Sequence, residues 1–398
     1  MGLLTVLFIN LAFLFVYSTT FTMVMPLAAA EYGVSEAVIG LLFTFGTAIP
    51  FVLDVPVSAL ADRIEKKKLI RIGLVGCVIS SLIPILFPNK AGIISGYILY
   101  KLTTLCYSLP LLSMISLCGG KTISQARVQG WNGFIQGACS MGASMLAGVL
   151  KDHLGITATY YVIFAAAVLA FIAATFIREM PVEHTEPVKK NYSFIGSFRS
   201  AFKMLRENTF IQRAALVEMM NTFVIYGVYQ SYFSLYVTNH MLFTASFLGV
   251  LLSVRILVST FMNLLYPRIS AKFGRFMPSA VFFGAACLLF IVLPQMRTEP
   301  MLMIWVILVG AGAGLSPAAP NTLIGEGCKP ENRALGFATV SIASGCFCTV
   351  FNLLFSWLAG VTDLGSVFRV SGILGIIFII GAVLYNNLAL EKKQSAQG

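Results

Sequence analysis

Charge is what this sequence has least of. Asp, Glu, Lys and Arg together make up 11% of its 398 residues, against about a quarter in soluble proteins. Such a chain cannot cover a folded sphere with polar side chains, so a set of soluble domains is excluded. Histidine is also rare, with three copies. His153, His184 and His240 fall in loops far apart in sequence, so no histidine metal cluster is expected. The chain has no HExxH, no GxSxG and no phosphate-binding Walker loop, which leaves no catalytic residues, metal or cofactor to expect. An ATP-driven pump would therefore need a separate subunit. Hydrophobic residues supply 58% of the chain and the mean hydropathy is +0.87. These values also exclude a disordered chain and a collagen-like rod.

Long apolar runs are what the sequence does have. Twelve occur, each long enough to cross a hydrocarbon core of about 30 Å. The first six cover roughly 3–29, 37–61, 69–87, 93–118, 128–150 and 157–178. The second six cover roughly 209–238, 243–267, 277–296, 301–325, 334–360 and 365–388. Helices are the expected form, because lipid offers no partner to an unpaired backbone group. The alternating segments of a β-barrel are missing. The first run lacks a basic leading region and is too long for a signal-peptide core, so it reads as a span. The expectation is an all-α membrane protein with twelve transmembrane helices.

Basic residues orient the spans. One set of alternate loops, with the C-terminal tail, holds 21 of the 27 Lys and Arg residues; the opposite loops hold 4. The positive-inside rule then places both termini in the cytoplasm of a cell-membrane protein. The formal charge of +11 is accounted for by topology and attraction to phospholipid, so nucleic acid is not an expected partner. The eight cysteines lie in spans or on the basic side, which argues against disulfides.

The longest polar break, Glu179–Asn208, divides the spans six and six. Phe194, Phe198, Phe202 and Leu205 share one helical face there, with Arg199, Lys203 and Arg206 on another, as in a short helix lying on a leaflet. The expected domains are residues 1–178, a cytoplasmic linker at 179–208, and residues 209–398. The halves also repeat. DRIEKKK after span 2 answers to KFGRF after span 8, Pro110 to Pro317, Gln125–Arg127 to Glu331–Arg333, and Asn10 to Asn221. Two repeated six-helix bundles are a common transporter plan, with the binding site near the bilayer midplane.

These residues resemble the major facilitator superfamily. Its signature between spans 2 and 3, approximately G-x-L-a-D-r-x-G-r-k, stands here as Ser58-Ala59-Leu60-Ala61-Asp62-Arg63-Ile64-Glu65-Lys66-Lys67. Leu60, Asp62, Arg63 and the basic tail fit; Ser58 and Glu65 replace the two glycines. Gly274 and Arg275 fit in the second half, with Ala271 in place of the Asp. Lys329 to Gly336 is similar to the family's loop after span 10. The resemblance implies a secondary transporter working by alternating access. It implies that Asp62 approaches the start of span 11, where a helix N-terminus attracts a carboxylate by about 0.3–1 kcal/mol when exposed. Asp62, Arg63, Arg127, Arg275 and Arg333 are the expected gating residues. The resemblance also implies a cavity lined by spans 1, 2, 4, 5, 7, 8, 10 and 11.

Four ionisable residues lie well inside spans: Asp54, Lys101, Glu218 and Arg255. Each costs about 2.5–3.5 kcal/mol at a helix centre, so each is expected to face water or another charge. All four are on spans of the implied cavity. Counting about 1.5 Å per residue puts Glu218 and Arg255 at levels where they could pair. Glu218 and Asp54 are the expected proton-exchanging groups. Arg255, Lys101, Asn10, Tyr17, Phe21, Asn221, Tyr229, Phe233 and Tyr236 are the expected substrate-binding residues, because aromatic walls with a few polar groups suit an amphipathic ligand. The reading is proton-coupled efflux of an amphipathic drug or metabolite by a monomer in the lipid bilayer. The rival readings are an uptake symporter and, from another class, a membrane enzyme or non-transporting sensor.

Overall fold

The computed structural model describes residues 2–61, 65–118, 125–177, 202–315, 318–328 and 333–395. No strand occurs among them. The helices are α1 (Leu3–Glu31), α2 (Glu36–Ala61), α3 (Lys66–Leu86) and α4 (Lys90–Leu117). The stretch Gln125–Thr175 is broken at Gly155, where φ is 80°, and its two arms are α5 and α6. Next come α7 (Thr209–Asn221), α8 (Ala245–Phe273), α9 (Met277–Val292) and α10 (Glu299–Leu315, resumed as Ala318–Gly327). The last two are α11 (Arg333–Val361) and α12 (Leu364–Ser395). Eight stretches pass a length-and-composition test for a membrane span, among them Trp131–Thr175, whose 45 residues suffice for two crossings. With α2, α4 and α7 the order accommodates the twelve spans read from the sequence.

Outward faces explain why these helices need lipid. α8 exposes Leu257, Phe261 and Leu264, and α12 exposes Ile373, Ile377, Ile380 and Leu384. Both series follow helical spacing, so each helix presents a continuous apolar strip to its surroundings. Gly33 ends α1 with φ 73°. Gly33 N–H bonds the Ala30 carbonyl and Val34 N–H bonds that of Ala29, a Schellman arrangement that occupies carbonyls left over at the helix end.

The chain folds as two compact units. The first holds Met1–Ser35, Val52–Asn191 and Val237–Ser253; the second holds Glu36–Phe51, Tyr192–Tyr236 and Val254–Gly398. The start of α2 thus belongs with the second unit and the start of α8 with the first. In the first unit α1 packs on α6 and α3 on α4. Asn10 Nδ2 donates to the Ala170 carbonyl at 2.6 Å, and the Tyr17 and Ser80 hydroxyls are 2.6 Å apart. The start of α8 lies on α5, where Ser253 Oγ donates to the Met141 carbonyl at 2.8 Å. In the second unit the start of α2 meets α7 and α11. Gly40 leaves room for the Tyr232 and Ser356 hydroxyls, and Asn352 Nδ2 donates to Thr47 Oγ1 at 3.2 Å.

Candidate functional site

Within the second unit, α7 changes its winding at the residues that carry its polar groups. The α-helix ends at Asn221 and a π-helix runs over Thr222–Phe233, with a further π turn at Tyr236–His240. Such i→i+5 winding is rare and occurs frequently at functional sites. Ser231 Oγ follows the same step, donating to the Tyr226 carbonyl at 3.1 Å. Just before the change, Glu218 accepts a hydrogen bond from Asn221 Nδ2 at 3.4 Å. The Glu218 residue is half-buried. Among the described residues, no Lys or Arg nitrogen makes an ion pair with it.

Arg255 of α8 takes a different partner from the one its depth suggested. Its guanidinium carbon sits 5.0 Å from the centroid of the Tyr229 ring. Tyr229 stacks on Phe233 at 4.7 Å, and Phe233 on Trp305 of α10 at 4.8 Å. The arrangement is a cation on a cluster of three near-parallel rings, with Tyr229 and Trp305 also 5.9 Å apart. Among the described residues Glu218 and Arg255 form no ion pair with each other. Tyr236 turns to Phe368 of α12, 5.1 Å away.

Within the first unit, Lys101 stands over two rings, 5.4 Å from the Tyr97 centroid and 5.2 Å from that of Tyr100. No carboxylate among the described residues lies within ion-pair distance of it. Each cation–π contact contributes about 0.5–2 kcal/mol according to its desolvation, set against about 2.5–3.5 kcal/mol for a charge at this depth. The Tyr100 ring stacks on Phe21 at 4.7 Å. It also helps to line a cavity of about 210 Å³ between α1 and α4. Leu14 and Phe15 of α1 face Tyr107 and Leu111 of α4 across it.

Helix 1 therefore divides the polar and aromatic residues picked out in the sequence from the cavity wall. Asn10, Tyr17 and Phe21 are fully buried and point to α3, α4 and α6. The wall is the neighbouring face, Leu11, Leu14, Phe15 and Ser18. The sequence reading also did not single out Trp305, Tyr226 or Tyr107, which look in sequence like ordinary apolar helix residues.

Of the gating residues, Arg275 is ion-paired with Glu326 at the end of α10, a partner the sequence reading did not name. Asp62 and Arg63 lie outside the described residues, as do the side chains of Asp54, Arg127 and Arg333. A further contact lies in the first unit. Asp152, in the turn between α5 and α6, accepts the N–H groups of Ala245 and Ser246 at 3.0 and 2.5 Å. It thereby caps the N-terminus of α8. Burial alone would raise this carboxyl, but the bonds from Ser246 and Ala245 outweigh it and hold Asp152 below the usual carboxylate range.

Long apolar helices, with Lys101 and Glu218 free of ion pairs among the described residues and a cavity between α1 and α4, are the features of a polytopic membrane protein. The Major Facilitator Superfamily profile matches residues 6–299, and the chain belongs to that family. An uncharacterised MFS-type transporter of Methanocaldococcus jannaschii is 22% identical over 373 residues, which is 91% of this chain and 92% of the relative. Among solved structures, the nucleoside transporter NupG aligns at TM-score 0.76 with 13% identity, over 96% of this chain and 99% of its own. A bacterial homologue of the human lysosomal transporter Spinster, inward-facing and unoccupied, aligns at 0.73 with 17% identity, over 97% and 96%. A POT family transporter in complex with 5-aminolevulinic acid aligns at 0.74 with 11% identity, over 97% and 96%. These likenesses establish the family's all-α fold.

Proposed function

We propose that this membrane transporter works by alternating access as a proton-coupled exporter of an amphipathic small molecule. The observation that supports this reading is the setting of Glu218. It is a half-buried carboxylate with an amide partner and no paired cation among the described residues, at the point where α7 changes winding. A charge so placed is costly in a membrane and marks a proton or substrate path. Glu218 exchanges the proton, with Asp54 as the second acid. Each proton moved down 100 mV releases about 2.3 kcal/mol.

Substrate contacts come from Arg255 and Lys101, with Asn221, Tyr229, Phe233 and Tyr236. Asn10, Tyr17 and Phe21 act from behind, because they hold the wall rather than form it. Asp62, Arg63, Arg127, Arg275 and Arg333 gate the basic side, which faces the cytoplasm of the cell membrane, and one chain suffices.

A pH dye sealed inside proteoliposomes tests the proposal. A transported compound added outside, with no gradient imposed, enters in exchange for luminal protons and makes the lumen more alkaline. Acidification on entry would contradict export by antiport and establish symport.

A further inference from the structure

We infer that the α1–α4 cavity binds the apolar body of an organic acid whose anionic group is met by Lys101. The inference rests on the reading of the chain as a small-molecule exporter and names the class of molecule.

Three observations carry it. First, the cavity is apolar in what it can offer. Its walls are Leu11, Leu14, Phe15, Leu111 and the Tyr100 and Tyr107 rings, and of its Ser18, Thr104 and Ser108 hydroxyls the first two are already engaged. Thr104 donates to the Tyr100 carbonyl at 2.8 Å and Ser18 to that of Phe15 at 3.4 Å. A polar body would find few donors there, whereas a phenyl or branched alkyl group would remove only apolar surface from water. Second, the size suits such a group. An apolar cavity of about 150 Å³ holds benzene, so about 210 Å³ accommodates a ring with a short chain. Third, a cation stands beside one of the wall's rings. Lys101 lies 5.2 Å from the ring of Tyr100, which is itself part of the wall. Three residues along α4, Thr104 is also in the wall, so Lys101 occupies the adjoining strip of the same helix. Its ammonium rests on aromatic faces and has no carboxylate partner among the described residues. It keeps donors available that only an acceptor-rich, anionic group would use fully.

The charge arithmetic agrees with export. An organic anion leaving as a proton enters moves two charges in the favoured direction across an inside-negative membrane.

The test uses the full-length protein in detergent and a series of aryl- and alkyl-carboxylates, beginning with 4-phenylbutyrate. Each is paired with its neutral amide and its amine. Binding is read by calorimetry. The expected result is that at least one carboxylate binds about tenfold or more tighter than its amide and amine. Lys101→Gln should erase that preference, Lys101→Arg should keep it, and Leu14→Trp should weaken acid and amide alike by filling the cavity. Because the amide and amine comparison is made on the native protein, a variant that failed to fold would not decide the matter. If no carboxylate exceeds its amide, or if folded Lys101→Gln keeps the preference, the inference is overturned. The same compounds in dye-loaded proteoliposomes separate the two proposals. Acid binding without proton exchange would refute the exporter reading alone, and proton exchange driven by the amines alone would refute the acid assignment alone.

Discussion

Tyr229 shows how one side chain can hold a charge inside a membrane protein without an opposite charge. Its ring takes the Arg255 guanidinium at 5.0 Å and passes its other contacts to Phe233 and Trp305. The attraction comes from the ring's quadrupole, which the hydroxyl does not supply. Tyr229→Phe should therefore melt within error of the native protein in detergent. Tyr229→Leu should lose about 0.5–2 kcal/mol, plus part of the stacking. Equal loss in both variants would mean that the hydroxyl, not the ring, holds Arg255. At this scale the sequence was legible for charge and less so for partners. Glu218, Arg255 and Lys101 stand out because ionisable residues are expensive in apolar runs. What they face depends on neighbours far away in sequence. Trp305 is 76 positions from Tyr229, and no local pattern announces that they meet.

Helix ends and helix winding hold the next level of information. The 3.6-residue period places Glu218, Asn221, Tyr229 and Phe233 on one side of span 7, but the helix is π-wound from Thr222. No residue type forces that winding, so the face beyond Asn221 could not be read from spacing. Asp152 is a second case. In sequence it is one acid in a short loop; in the structure it caps α8, 93 residues later at Ala245. The sequence reading expected the same physics, an acid at a helix N-terminus, for Asp62 and span 11. Asp152 is held below the usual carboxylate range, so its contribution is complete above the ordinary carboxylate pKa of about 3.9 and fades as pH falls through its own lower value. Asp152→Asn should melt earlier than the native protein at pH 7, by about 0.3–1 kcal/mol for so exposed a site. The difference should shrink as pH is taken toward 3. A difference that stays constant down to that pH would show that charge is not what matters at Asp152.

Across the whole molecule, composition and the apolar runs carried most of the fold. The described helices are consistent with the twelve apolar runs and their order, and the family match agrees with the resemblance drawn from the residues around Asp62 and Gly274. The assignment of the start of α2 to one unit and the start of α8 to the other was not legible, because it depends on glycine-sized gaps meeting distant hydroxyls, as at Gly40. The central claim is that Glu218 carries the proton that drives transport. Reconstituted Glu218→Gln protein tests it most directly when equilibrium exchange and pH-driven accumulation of the same labelled compound are measured side by side. The account predicts that exchange continues while pH-driven accumulation falls to background, since the substrate can still ride the conformational change without its proton. Undiminished pH-driven accumulation in Glu218→Gln would contradict it.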